Sequence, residues 1–252
     1  MKNYEGNQQH YTNIAVKYND FLLFSDSYRE WATDLIIESL ALRPDDIVAD
    51  IGGGTGSASH SIFKKAGLKN DVLCADPSDS MIAQAGRLKG VKPLCMDAHE
   101  FAENTSGKYD KLLLKEMVHH LTDRISLWNK LRGRMNRNGR LLIVTRPRIP
   151  PLPFFKAALA SFSAGQPTSD LLAAELGEAG FRPEVALHSY SVSFEKERWY
   201  YLLQNRFMSN LHDFTDDEIE EGITELEQTY SDEKMIEVRD DLLFIMSLKI
   251  ET

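Results

Sequence analysis

The chain has 252 residues, a net charge of −9 at neutral pH and 42% hydrophobic residues. This length suits one domain with a cap, and the acidic balance argues against nucleic acid or an anionic membrane surface as a partner. The first residues are polar, which is not typical of a signal peptide, and no apolar run approaches the ~18 residues of a membrane span. Cys74 and Cys95 lie in apolar segments, which is typical of buried free thiols. We therefore expect a cytoplasmic, soluble protein without a metal site.

The first half of the chain predicts alternating strands and helices. Residues 10–42 have apolar residues at helical spacing, and Pro44 ends that pattern. Candidate strands then cover 46–51, 71–76, 92–96, 110–115 and 140–145, and candidate helices cover 57–67, 78–88 and 122–135. Asn138 and Gly139 predict a turn before the fifth strand. Such alternation favours a doubly wound α/β fold, in which helices cover both faces of a parallel sheet.

The second half predicts two further strands, which makes seven. The elements are helix 168–179, strand 184–194, helical stretches 195–212 and 215–230, and strand 241–249. The last two strands are separated by about forty-five residues, far more than the usual connection of ~2–6. We therefore expect a single domain, 1–252, with a mostly parallel seven-stranded sheet and a helical cap. Its expected parts are an N-terminal helical cover, 1–43, a core sheet, 44–194 and 241–252, and a helical insertion or lid, 195–240.

The stretch DIGGGTG, residues 50–56, lies at the end of the first strand of the alternating series. Ligands of open α/β sheets bind at the carboxyl ends of strands, where glycines permit close backbone approach and the next helix offers amide donors. A dinucleotide site requires G-x-G-x-x-G, but Ser57 takes the third glycine position, which disfavours a nicotinamide oxidoreductase. The spacing is instead that of an acidic residue followed by glycines at every second position: Asp50, Gly52, Gly54 and Gly56. A ligand with a cationic amino group suits Asp50 better than a pyrophosphate does.

Four later landmarks occur in order, each at the end of a predicted strand. They are CADPSDSMIAQA (74–85), MDAHEF (96–101), KEMVHHL (115–121) and NGRLLIVTRP (138–147). Together with DIGGGTG they resemble the class I S-adenosylmethionine-dependent methyltransferases, particularly the small-molecule, type 11-like branch, over at least residues 44–146. The resemblance implies a Rossmann-like fold, S-adenosylmethionine as cofactor with S-adenosylhomocysteine as product, and a small-molecule acceptor. It is compatible with a monomer or a homodimer.

The resemblance also implies roles for residues at the first two strand ends. Asp50 organises the ammonium end of the cofactor, directly or through water. The glycines that pass beneath its methionyl and ribose parts are Gly52, Gly53, Gly54 and Gly56. Asp76, followed by Pro77, accepts hydrogen bonds from both ribose hydroxyls, and Met81 packs near the adenine.

At the later strand ends, the resemblance assigns Asp97 to the adenine amino group and Ala98 to the ring through its backbone. Lys115 and Glu116 border the sulfonium. Lys115 departs from the small or amide residue expected there, so only its backbone is expected to matter. The residues expected to fold over the cofactor near the N-terminus are Tyr11, Tyr18 and Arg29.

His119 and His120 follow the fourth strand, where the resemblance places the transferred methyl group. A neutral imidazole can take a proton from a hydroxyl, thiol or amine. We expect His119 to be the catalytic residue of the two, and His120 to pack or to bond the backbone.

Candidate contacts to the acceptor lie after the fifth strand, at Arg146 and Arg148, and in the insertion, at Tyr200 and Arg206. Arginines suit a carboxylate or phosphate, although pairing with protein acids is an equally good explanation. The expected function is methyl transfer to a small, anionic molecule, without nucleic acid as a substrate because the Asn-Pro-Pro-Tyr motif is missing. The alternative is a catalytically inactive S-adenosylmethionine-binding regulatory or partner protein.

Overall fold

The computed structural model describes residues 25–250. Two compact units can be distinguished in it. The glycine-loop unit comprises residues 26–145, 167–187 and 243–250, and the aromatic unit comprises residues 146–166 and 188–242. The predicted insertion, 195–240, falls in the aromatic unit, which also takes in the segment after the fifth strand.

The strands form one seven-stranded sheet. They are β1 Val48–Ile51, β2 Val72–Asp76, β3 Val91–Cys95, β4 Tyr109–Lys115, β5 Met135–Thr145, β6 Phe181–Glu195 and β7 Met235–Lys249. Their order is β3-β2-β1-β4-β5-β7-β6. Pairs among β1 to β5 are parallel, and β7 runs antiparallel to β5. The predicted doubly wound, mostly parallel, seven-stranded α/β sheet is confirmed.

Nine α-helices are described between residues 25 and 250. They are α1 Asp26–Leu40, α2 Ser57–Ala66, α3 Asp79–Ala85, α4 Ala98–Asn104, α5 Arg124–Gly133, α6 Lys156–Gly165, α7 Ser169–Glu178, α8 Lys196–Gln204 and α9 Asp216–Thr229. Short 3-10 turns cover Val118–His120 and Ser209–Leu211. Helices α4 and α6 were not among the predicted elements. Within the described range, no helix combines the length and the apolar character needed to cross a membrane.

Two predicted boundaries are wrong in an instructive way. Asn138 and Gly139 lie inside β5, where Asn138 has a φ of 59° and the register with β4 shifts, so they form a bulge instead of a turn before the strand. Strand β7 begins at Met235 instead of residue 241, because buried Ile236 and half-buried Val238 alternate with three exposed residues, Met235, Glu237 and Arg239. The segment between β6 and β7 is therefore 196–234.

The core of the glycine-loop unit holds the first strands in place. All four residues of β1 are buried, and the core around them is built from apolar side chains of the neighbouring strands and of the helices that cover them. Burying one such side chain stabilises a fold by ~1.5–3 kcal/mol. Cys74 of β2 is buried as expected, whereas Cys95 is exposed at the end of edge strand β3; both are free thiols.

The aromatic unit has its own core, centred on Trp199. The indole packs against the rings of Phe154, Phe194 and Phe207, with centroids 5.3 to 5.7 Å apart. Its Nε1 donates a hydrogen bond of 2.8 Å to the carbonyl of Pro153. Tyr200 is buried in the same core. These aromatic residues of α8 are therefore packing residues of this unit.

Candidate cofactor site

The loop from Gly52 to Gly56 connects β1 to α2 by a backbone path that requires glycine. Gly52, Gly54 and Gly56 have φ values of 74°, 55° and 73°, a region that costs other residues ~1–2 kcal/mol. The amides of Gly52 and Gly53 both donate to the carbonyl of Ala75, at 2.8 and 3.1 Å. The loop is thereby fastened to the end of β2, and α2 begins directly after it.

The glycines differ in what surrounds them. A Cβ at Gly52 would lie 2.7 Å from Met117 Cγ, one at Gly53 2.6 Å from Cys74 Sγ, and one at Gly56 2.9 Å from Ala85 Cβ. At Gly54, none of residues 25–250 has an atom within 4 Å of the corresponding position. Packing alone therefore explains three of the glycines. Gly54 instead faces open space, with a backbone that a side chain rarely adopts.

Asp76, at the end of β2, is tied to this loop. Its Oδ2 accepts a hydrogen bond of 3.0 Å from the Gly54 amide, and its Oδ1 accepts one of 2.9 Å from the Ser78 amide. Burial raises the pKa of Asp76, and the two amide bonds partly oppose that rise. Because each carboxylate oxygen can accept two hydrogen bonds, both oxygens retain acceptor capacity for a ligand.

The segment after Asp76 is fixed by helix capping. Pro77 leads into Ser78, whose side chain caps α3 by accepting from the Met81 amide. The Met81 side chain is buried. It therefore packs within the protein here, and a contact with adenine stays a prediction.

Asp50, in β1, is almost completely buried, with 1% of its surface exposed. Its Oδ2 accepts a hydrogen bond of 2.6 Å from the Ser59 hydroxyl. Its Oδ1 is also buried and has no hydrogen-bond partner among residues 25–250. Burial raises the pKa of Asp50 to about 6, although the Ser59 hydrogen bond and the charge of Lys115 lower it. Buried polar atoms in proteins are nearly always bonded, so Oδ1 calls for a donor.

Asp97 occupies the N-cap position of α4. Its Oδ1 accepts from the amides of His99 and Glu100, at 2.8 and 2.9 Å, and the Glu100 carboxylate accepts from the Asp97 amide. Ala98 is the buried first residue of that helix. This capping box explains Asp97 without a ligand, and its role toward adenine stays a prediction. The D-x-x-E spacing was the signal in the sequence that could have revealed α4.

The end of β4 holds Lys115 and Glu116. Glu116 has a φ of 55°, unusual for a residue with a side chain, and its amide donates a 2.7 Å hydrogen bond to Val144 of β5. Lys115 lowers the pKa of Asp50 by its charge, so its side chain acts on the site electrostatically. This differs from the expectation that only the backbone of Lys115 matters.

The two histidines lie together in the 3-10 turn after β4. Their rings are 4.0 Å apart between centroids. Burial, together with a smaller contribution from the charge of His119, lowers the pKa of His120 to about 3. A base with so low a pKa removes a proton poorly near neutral pH, which favours His119 as the base of the pair.

Arg29 lies on α1 and forms an exposed ion pair with Asp26. The two tyrosines predicted to cover the cofactor, Tyr11 and Tyr18, lie outside the described residues. The structure thus brings together the predicted residues from the ends of β1, β2 and β4.

The predicted acceptor-binding residues belong to the aromatic unit, and two of them are occupied by protein carboxylates. Arg146 forms a buried bidentate pair with Asp240, at 3.0 and 3.2 Å. Arg206 donates to Asp216 and to the carbonyl of Phe214. Both guanidinium groups are therefore explained by pairing with protein acids, the alternative left open by the sequence.

The other two predicted contacts differ in exposure. Arg148 is exposed, and its Nε donates to the carbonyl of Ser163 at 2.8 Å. Tyr200 is buried in the aromatic core, and burial raises the pKa of its phenol. Of the four, Arg148 is the most exposed, whereas Arg206 is half-buried and Arg146 and Tyr200 are buried.

Comparison with known proteins shows which protein family this part of the chain matches. Residues 49–141 match a family described as a methyltransferase domain. These residues are thereby identified as a methyltransferase domain, similar to the class I S-adenosylmethionine-dependent methyltransferases. The match begins in β1 and ends in β5, and so includes the glycine loop, Asp76, Asp97 and the histidine turn.

Curated relatives of this methyltransferase domain are distant. A ubiquinone/menaquinone biosynthesis C-methyltransferase, UbiE, of Francisella tularensis subsp. novicida is 25% identical over 151 residues, which are 55% of this chain and 59% of that relative. The chain thus covers less than two thirds of the length of the curated relatives it matches.

Solved structures extend the similarity of fold to most of the chain. The YcgJ protein of Bacillus subtilis is 14% identical, covers 87% of this chain and 98% of its own, and has a TM-score of 0.59. Phosphoethanolamine N-methyltransferase 2 of Haemonchus contortus, in complex with S-adenosyl-L-methionine, is 13% identical and covers 95% of this chain and 57% of its own, with a TM-score of 0.61. At these identities the similarity concerns the fold.

Proposed function

We propose that this chain is an S-adenosylmethionine-dependent methyltransferase that acts on a small molecule. The observation that carries the proposal is Gly54, where the described residues leave the side-chain position open while the Gly54 amide is bonded to Asp76. Such a glycine keeps a backbone surface clear for a ligand, beside a carboxylate with acceptor capacity.

The donor and acceptor groups of the site fit this cofactor. Oδ1 of Asp50 suits its ammonium group, because a buried carboxylate oxygen without a partner in the described range calls for a cationic or N–H donor. Asp76 suits a pair of ribose hydroxyls, which donate hydrogen bonds to carboxylates. Gly54, whose amide is bonded to Asp76, leaves a backbone surface clear beside that carboxylate.

The bound cofactor supplies a methyl group on a positively charged sulfur. The chain itself contributes alignment and a site shielded from water, and alignment alone can be worth ~7–11 kcal/mol. If the acceptor carries a proton, His119 is the residue proposed to remove it, because the pKa of His120 is lowered to about 3.

For the acceptor, we keep the finer proposal of a small anionic molecule. Arg148 supports it, because its side chain is exposed and a guanidinium binds carboxylates and phosphates well. The relatives carry different names, a ubiquinone/menaquinone biosynthesis C-methyltransferase in one case and a phosphoethanolamine N-methyltransferase in the other, so they do not narrow the choice of acceptor. A free thiol at buried Cys74 supports a reducing, cytoplasmic location.

Two experiments test this function. Calorimetric titrations with S-adenosylmethionine and with NAD should show binding of the first alone, and the reverse would restore the oxidoreductase hypothesis. Incubation with metabolite extracts and S-adenosylmethionine labelled in its methyl group should then give a labelled small molecule. Cofactor binding without transfer to any extract would favour the inactive, regulatory alternative.

A further inference from the structure

The Asp50 carboxylate is held by one side chain of the next helix. Ser59, in the first turn of α2, is completely buried, and its hydroxyl donates to Asp50 Oδ2 at 2.6 Å. Gly53 lies over the same oxygen, since a Cβ there would be 2.9 Å from Oδ2. Serine and loop therefore enclose Oδ2, and Oδ1 is the oxygen left with acceptor capacity.

We propose that Ser59 is a positioning residue for cofactor binding: its hydroxyl holds Asp50 ionised, with Oδ1 oriented to accept from the cofactor's ammonium group. This inference rests on the proposed function. Ser59 touches neither reactant in the proposal and acts through Asp50.

The charge state of Asp50 decides whether Oδ1 can accept. The groups that act on it are Lys115 from β4, which favours the ionised form, and Asp76 from β2, which opposes it; Cys74 of β2 also lies close. Burial raises the pKa of Asp50 to about 6, while the Ser59 hydrogen bond is the largest influence that lowers it. Removal of that hydroxyl should raise the pKa of Asp50 further.

The direction of the pH effect follows from the charge of the ligand. An ammonium group binds the ionised carboxylate, so affinity is present above the pKa of Asp50 and is lost as the pH falls through it. In Ser59→Ala this loss should begin at higher pH, by about 1 pH unit for one charged hydrogen bond. A general structural defect would instead weaken binding equally at all pH values.

The first test uses the apo chain with its aspartate carboxyl carbons labelled by ¹³C. The Asp50 resonance is assigned by comparison with Asp50→Asn and titrated by NMR in wild type, Ser59→Ala and Ser59→Cys. The midpoint should rise by about 1 unit in Ser59→Ala and by less in Ser59→Cys, which keeps a weaker donor. Ser61→Ala, in the same helix but without contact to Asp50, should leave it unchanged. Equal midpoints in wild type and Ser59→Ala would overturn the proposal.

The second test is calorimetric titration of the same variants with S-adenosylmethionine between pH 5.5 and 7.5. Ser59→Ala should lose about tenfold more affinity than Ser61→Ala at the acid end, and the two should converge toward pH 7.5. A uniform loss at every pH would contradict a role through Asp50. If wild type binds no S-adenosylmethionine at any pH, the proposed function fails, while the NMR titration still decides whether Ser59 controls Asp50.

Discussion

Each of the two compact units contains a buried carboxylate, and the two carboxylates differ in how completely they are hydrogen-bonded. In the aromatic unit, Asp240 is fully buried and holds Arg146 through two hydrogen bonds. In the glycine-loop unit, Asp50 is equally buried, but its Oδ1 has no partner within the described range. A buried charge that is fully paired has a structural explanation. A buried carboxylate with one oxygen unbonded in the described range, in the strand that leads into the loop of Gly54, indicates a ligand site.

The largest effect on stability is expected for the buried pair of Asp240 and Arg146. Asp240→Ala leaves the Arg146 guanidinium buried without its carboxylate, which typically costs 3–5 kcal/mol. We expect urea unfolding to show a loss of stability of about that size. Arg148→Ala, at an exposed arginine two residues on, is the matched control. A loss below about 1 kcal/mol in Asp240→Ala would show that the pair contributes little to the fold.

The next prediction concerns Asp50, the carboxylate with an oxygen left without a partner in the described range. Its replacement should not reduce stability, in contrast to the replacement of Asp240. Burial raises the pKa of Asp50 from 3.8 to about 6, so the folded state favours the protonated form. The contribution of Asp50 to stability is therefore fully present below about pH 4 and is lost as pH rises through about 6, at a cost near neutrality of about 3 kcal/mol. Asp50→Asn stays neutral and should be at least as stable as wild type at pH 8, yet bind S-adenosylmethionine at least about tenfold more weakly.

Thermal unfolding at pH 5 and pH 8, together with calorimetric titration, checks both halves of that prediction. The stability difference between variant and wild type should grow with pH. If Asp50→Asn is instead destabilised at pH 8 by several kcal/mol, the ionised carboxylate must be satisfied in the folded protein, and the contrast with Asp240 disappears.

A smaller effect concerns Asp76. Asp76→Ala removes the acceptor for the proposed ribose hydroxyls, and hydrogen bonds to charged groups contribute ~1.5–3 kcal/mol each. We expect cofactor affinity to fall at least about tenfold, with circular dichroism like that of wild type. An unchanged affinity in the folded variant would remove Asp76 from the cofactor site.

The smallest effect on stability is expected at Arg148. Because its side chain is exposed, Arg148→Ala should change the free energy of unfolding by no more than about 0.5 kcal/mol. With the acceptor identified, the same variant should raise KM for the acceptor and leave KM for S-adenosylmethionine unchanged. Wild-type kinetics would argue for a neutral acceptor.

The sequence predicted the sheet and the glycine loop because both depend on local patterns. Apolar strands, alternating helices and DIGGGTG gave the strand count and the place of the loop. Helix α4 was overlooked although the capping box of Asp97 and Glu100 is visible in the chain. Helix α6 lies directly after the proline-rich stretch 147–153, which hid its start.

The pairing of charges could not be predicted from the sequence. Arg146 and Asp240 are 94 positions apart, and only the fold brings them together. The same holds for Ser59, which looks like an ordinary helix residue until its hydroxyl is found 2.6 Å from Asp50. Likewise, the spacing of the glycines does not reveal that Gly54 alone among the four faces open space.

The central claim, that a ligand lies against Gly54, is tested most directly by a pair of matched glycine variants. Gly54 and Gly67 have similar φ values, 55° and 62°, and within the described part of the chain no atom lies within 4 Å of a Cβ built at either position. Alanine therefore imposes a similar backbone cost at both positions, while only Gly54 belongs to the proposed site. Calorimetric titration with S-adenosylmethionine should show at least about tenfold weaker binding in Gly54→Ala and wild-type binding in Gly67→Ala. Equal affinities in the two variants would contradict the account.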